Sequence, residues 1–281
     1  MLDLSFSARG DIPGKVKKEI SEIVTDCYKK FGDRVPYKVE VCAFDTEERM
    51  NNFLKEESFK LSLPYHPSDD SSPCAYDVLR GFPRLLIPID RLSNYSKQGR
   101  AGAIRHEAAH TVLHGSLEFN IFQIPDDCRH VASIKGIEPD KLEGIFLQLT
   151  LAIKDHEATH FLVEHGFIHC QFAYALDWIK PGEGDRAAWM IAKANRQARF
   201  IYESALMRPL LFVNPLLSLP RTKVPEEAKL QLGARVEKMI DMLGESEENK
   251  VLQVAAAIIE VLSRTAQNNI DAAFHQLMSL I

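Results

Sequence analysis

His106-Glu107-Ala108-Ala109-His110 is an H-E-x-x-H pattern within a helical stretch. Four residues of α-helix advance about 400°, so His106 and His110 lie one above the other on a single face. Two imidazoles so placed can grip one metal ion, usually zinc, and the Glu107 carboxylate beside them can take a proton from a water held there. A second pattern of the same form follows at His156-Glu157-Ala158-Thr159-His160.

A catalytic zinc site usually has three protein ligands. The first pattern supplies two, and the helix expected over about 139–165 is the best source of the third. With Leu142 at 0° and steps of 100° per residue, Leu142, Ile145, Phe146, Leu149, Ile153 and Val163 define a main apolar face. His160, His156 and Glu157 fall on that face, and Asp155 falls on the opposite side. Leu147, Leu151 and Leu162 also fall on the far side, so the helix can be buried more than once. A bare charge on a buried face is costly, and a metal would partner it.

The elements that must position these groups are legible in part. Residues 12–31 carry Val16, Ile20, Ile23, Val24 and Tyr28 at helical spacing, stopped by Gly32. Tyr37 to Phe44 alternates as a strand, and Asp45 or Thr46 caps a helix. A loop is expected over 63–74, from Pro64, Pro67, Pro73 and the polar run Ser68 to Ser72. Tyr76 to Leu79 and Arg84 to Ile89 read as a hairpin, with Pro88 marking the second as an edge strand. The metal helix begins near Asn94 or Gly102 and stops at Gly115, and short helices or irregular chain fill 117–137. Beyond Gly166 helices are expected at 169–179, 184–208, 224–244, 246–264 and 267–280, and the proline-rich stretch Val213 to Pro220 marks a boundary. The fold expected is α+β: a zincin-like metal domain at 1–215 with a small antiparallel sheet, then a helical segment at 221–281. That last segment has apolar positions such as Leu232, Val236 and Leu243 at helical spacing. It is expected to dock on the metal domain or on a second copy of the chain, as a homo-oligomer.

Strands followed by H-E-x-x-H on a helix and an acidic residue on a later helix resemble the gluzincin class of zinc metallopeptidases, over roughly residues 37–165. The resemblance implies His106, His110 and Glu157 as zinc ligands and Glu107 as general base, with a peptide or protein substrate pairing with the strand Leu85 to Ile89. The chain departs from the class. Many members carry E-x-x-x-D or E-x-x-A-D on the second helix, and the position four after Glu157 is Phe161. Matching Ala158 to the Ala of E-x-x-A-D makes Asp155 the ligand and puts Thr159 at the Asp position. The helical register favours Glu157 over Asp155, and His160 stays a competitor as ligand or supporting partner. The metzincin pattern needs a His at position 116, which is Ser116.

His114 continues the spacing of His106 and His110 but lies about 12 Å along the axis from His106, so it reads as a histidine at a helix C-terminus, near the dipole. For the group that would stabilise an oxyanion, Tyr174, Tyr202, His169 and Arg199 are candidates that the sequence does not rank. Two further readings stand beside peptide hydrolysis. A zincin-like fold can keep its metal and act only in binding or regulation. The two E-x-x-H motifs also fit a ferritin-like di-iron bundle, but that needs a Glu from two further helices and has no place for the expected strands. A net charge of −5 gives no support for a nucleic-acid partner. The N-terminal stretch lacks an apolar core of signal-peptide length and no run suits a membrane span. Five cysteines, an odd number without C-x-x-C spacing, read as free thiols, and a cytoplasmic location is expected.

Overall fold

Asp3, Ser5 and Ser7 alternate with Leu4, Phe6 and Ala8, and this stretch forms a strand with no counterpart among the expected elements, β1 (Asp3–Arg9). The computed structural model describes residues 2–63, 65, 72–224, 226–262 and 266–281. The loop expected over 63–74 lies mostly outside the described residues, as does the end of the helix expected over 246–264.

From β1 the chain passes through α1 (Gly14–Phe31) into β2 (Lys38–Phe44), which pairs with β1 in parallel. A parallel pair needs a crossover of about a dozen residues or more, and α1 supplies it. α2 (Glu47–Lys60) then starts at its N-cap Thr46, whose side chain accepts from the Arg49 amide at 3.2 Å. β3 (Ala75–Asp77) and β4 (Arg84–Pro88) form the expected antiparallel hairpin, and β4 also pairs in parallel with β2. Among the described residues the sheet order is β1-β2-β4-β3. β4 is therefore internal, not the edge strand expected from Pro88, and β3 is the edge. Pro88 is tolerated because it is the last residue of its strand.

The rest is helix: α3 (Ile89–Ser93), α4 (Lys97–Leu113), α5 (Asp126–Ile134), α6 (Pro139–Glu164), α7 (Ile168–Trp178), α8 (Glu183–Ala192), α9 (Arg196–Ala205), α10 (Met207–Leu217), α11 (Glu226–Ile240), α12 (Glu245–Val261) and α13 (Ala266–Leu277). This corrects the expected α+β zincin-like domain with its small antiparallel sheet. The chain is mainly helical, and its one described sheet is small and mixed. Helical crossovers α1 and α2 make two of its three pairings parallel. The proline-rich stretch is corrected too: Val213 to Leu217 belong to α10, with Pro215 inside it.

Two compact units are distinguished: residues 1–120 with 161–178, and residues 121–160 with 179–281. In the first, Cys42, Phe44 and Leu86 of the sheet pack on Met50 and Phe53 of α2. In the second, Leu232, Val236, Val251, Ile258 and Phe274 are buried among α11, α12 and α13.

The hairpin is pinned by a fully buried Arg84. Its guanidinium donates to both Asp77 oxygens, at 2.7 and 2.8 Å, and to Glu57 at 3.3 Å. Asp77→Ala leaves that charge with its longer contact alone. It is expected to cost about 3 kcal/mol, the lower end for breaking a buried pair, read as a lowered urea midpoint.

Candidate metal centre

α4 is held at its start by Ser96, whose Oγ accepts from the Gly99 amide at 3.0 Å and donates to Asp177 of α7 at 2.6 Å. α4 and α7 then pack unusually closely. A Cβ on Gly102 would fall 2.2 Å from the Cys170 carbonyl oxygen, and Gln171 Nε2 donates to the Gly102 carbonyl at 2.9 Å. On another side Tyr28 of α1 donates to Thr111 at 2.8 Å, since the Thr111 hydroxyl proton is given to the Ala108 carbonyl at 2.7 Å.

The result buries a polar row. His106, Glu107, His110 and His114 are 2%, 5%, 3% and 1% exposed. His106 Nε2 and His110 Nε2 face each other at 3.1 Å. His110 turns its other nitrogen, Nδ1, to Nδ1 of His114 at 3.0 Å. Each such pair can hold one proton between its nitrogens. His114 is also the C-cap of α4, in keeping with its reading as a histidine at a helix C-terminus. A cation held by both Nε2 atoms would leave the His110 proton on Nδ1, donated to His114, and His114 would then set the tautomer and angle of His110. Its spacing of four from His110 was the available signal. Tyr76 of the edge strand stacks on the His110 ring, with centroids 4.8 Å apart and planes at 9°.

His114→Ala is expected to weaken zinc binding about 10–100-fold, the usual cost of losing an outer partner of a metal ligand. His114→Gln, which keeps an acceptor, should lose less. Competition with a chromophoric chelator reads both.

α6 carries the acidic partner. Ligating atoms of His106, His110 and Asp155 all lie within 4.8 Å of one another, and all three residues are buried. Glu157, expected from helical register, is not in that group. It is half-buried and accepts from Asn269 at 2.9 Å. Asp155 is 6% exposed, and one of its oxygens accepts from Arg208 Nε at 2.7 Å. Register did not single out Asp155, because α6 is buried on more than its apolar stripe. Ala152, Asp155, Thr159 and Leu162, spaced three, four and three, are all buried. His160, expected on the main buried face, is exposed.

His156 has another partner. Pro215 lacks the amide that would bond the carbonyl four residues back, and that carbonyl, Leu211 O, receives His156 Nδ1 at 3.0 Å. Burial holds the His156 pKa below its ordinary value.

Around Glu107, the Ser72 hydroxyl lies at 3.5 Å from Oε1 and at 3.5 Å from the Tyr174 hydroxyl, both at the outer limit of a hydrogen bond. Burial, and then the Glu107 carboxylate, push the Cys74 thiol well up, so it stays protonated beside Glu107. Of the four side chains considered for an oxyanion, Tyr174 is against the site, its ring 5.6 Å from that of His106. Tyr202 donates to the Asp185 carbonyl, Arg199 lies 3.8 Å from Glu203, and His169 is exposed. Among the described residues, no helix is long and apolar enough to cross a membrane.

No protein-family model, curated protein or solved structure matches this chain.

Proposed function

We propose that this chain is a zinc-dependent peptide hydrolase. The observation that carries the reading is the buried group of His106, His110 and Asp155, with Glu107 on the same helix as the two histidines. Two imidazoles and a carboxylate are a donor set that suits zinc and leaves a position for water or substrate. Zinc bound there would polarise a scissile carbonyl and lower the pKa of a water.

The chain's own residues supply the rest. Glu107 accepts the proton of the attacking water and delivers it to the leaving amine. Arg208 fixes the Asp155 carboxylate, and His114 fixes His110. The Tyr174 hydroxyl, whose ring lies 5.6 Å from that of His106, would donate to the carbonyl oxygen of a substrate. An extended peptide would approach along the edge strand β3, whose Tyr76 lies on His110, by adding a strand. All five cysteines are free and buried, which accords with a reducing compartment, and the proposal sets the enzyme in the cytoplasm.

The test pairs metal analysis with hydrolysis. The full chain is expected to hold one zinc through these residues and to release new amino termini from a pool of unstructured peptides. A His106→Ala/His110→Ala variant should lose that zinc and the activity together. A zinc-replete chain that cleaves no peptide in the pool, or wild type and variant that bind zinc alike, would overturn the reading.

A further inference from the structure

We propose a second metal site, distinct from the first, in which Asp127 and Cys128 of α5 and His275 of α13 hold a divalent transition ion such as zinc. Ligating atoms of the three lie within 4.8 Å of one another. The site does not depend on the function proposed above.

His275 carries the argument. Its Nδ1 lies 2.7 Å from the Asp271 carbonyl one turn back on α13, and it donates to that oxygen. The nitrogen left with a lone pair is Nε2, and it faces Asp127 Oδ2 at 2.7 Å. Two acceptors at that distance require a proton or a cation to hold them together. A ring N–H tied to a backbone carbonyl, which leaves the other nitrogen to a cation, is the usual posture of a metal-binding histidine.

The other two donors are equally constrained. Asp127 Oδ1 accepts from the Cys128 amide at 2.9 Å, which fixes the carboxylate at the start of α5. Cys128 lies in the first turn of that helix; burial, and then the Asp127 and Asp271 carboxylates, push its thiol up to about 11, so a bound metal would have to displace the proton. The thiol is buried, whereas Asp127 and His275 are exposed. One nitrogen, one sulfur and one oxygen form a set suited to zinc, with the exposed side open to a water as fourth ligand. Magnesium and calcium, which prefer oxygen donors, fit poorly. Binding would displace the thiol proton and tie α5 to α13 across just over half the chain.

Cobalt(II) tests the site, because a cobalt–thiolate bond gives a charge-transfer band that histidine and carboxylate ligands do not. The full chain titrated with cobalt is expected to show that band at one equivalent, with a melting temperature that rises with cobalt concentration. Cys128→Ser should abolish the band and remove one equivalent of bound metal. Asp127→Asn and His275→Gln, both at exposed positions, should weaken that equivalent more than about 10-fold. Failure of the first site would leave one equivalent, still with the band. Absence of the band in wild type, or its survival in Cys128→Ser, would show that Asp127 and His275 form an ion pair only and would overturn the proposal. Far-ultraviolet circular dichroism confirms that each variant is folded.

Discussion

Glu107→Gln is expected to reduce peptide hydrolysis by about 10²–10⁴-fold, the range for a positioned general base, while leaving zinc affinity nearly unchanged. The two halves of that expectation have separate origins. Glu107 follows His106 directly, so it sits about 100° around α4 from it and is not in the buried group of His106, His110 and Asp155. The amide of Gln fills the same 5% exposed position and can still meet Ser72. What it cannot do is accept a proton at neutral pH. Initial rates on one cleavable peptide, beside a zinc titration of the same preparation, read both quantities. A variant that hydrolyses at the wild-type rate removes Glu107 from the chemistry, and one that loses zinc assigns it to binding.

Asp155→Ala is expected to lose zinc by more than the roughly 100-fold that marks the upper end of outer-partner effects, whereas Glu157→Ala should bind nearly as the wild type does. The geometry discriminates between neighbours two residues apart. Asp155 joins the two histidines, and Glu157 turns to Asn269. Asp155→Ala also leaves Arg208, a mostly buried cation, without its carboxylate, so stability must be followed in parallel. Arg208→Gln separates the two effects: it keeps the ligand and removes only the residue that orients it, and should fall in the 10–100-fold range. If Glu157→Ala loses the metal and Asp155→Ala keeps it, the assignment is reversed.

How much of this was legible follows from what each sequence signal measures. His106, Glu107 and His110 could be read because one helix places all three, and spacing alone determines which residues share its face. The hairpin and the span of α6 were legible for the same reason, as were the caps at Thr46 and Gly166. Asp155 was not. Leucines and isoleucines mark one buried face of α6, but Ala152, Asp155, Thr159 and Leu162 are buried as well, in a mixed row that apolar spacing does not single out. A polar site buries polar residues, so an apolar stripe points away from it. The looser E-x-x-A-D match, which made Asp155 the ligand, carried the information that register discarded. β1 was overlooked although Leu4, Phe6 and Ala8 alternate, and with it went the parallel pairing to β2. Pro215 was read as a chain break because a proline costs a helix one hydrogen bond. Here the freed Leu211 carbonyl is taken by His156, a residue 55 positions away that no local rule connects to it.

Gly102 bears on how this protein can diverge. Any side chain there would meet the backbone of α7, so a descendant chain could exchange most of the surface of α4 but not that position, unless the two helices moved apart and the histidines moved with them. The same holds for Gln171, whose amide spans the narrow gap. Distant kin of this chain should therefore be recognisable by a sparse signature: a glycine four residues before H-E-x-x-H, a histidine four residues after it, and a glutamine on a later helix. Such a pattern is more discriminating than the pentad alone, and it would persist after overall similarity had faded.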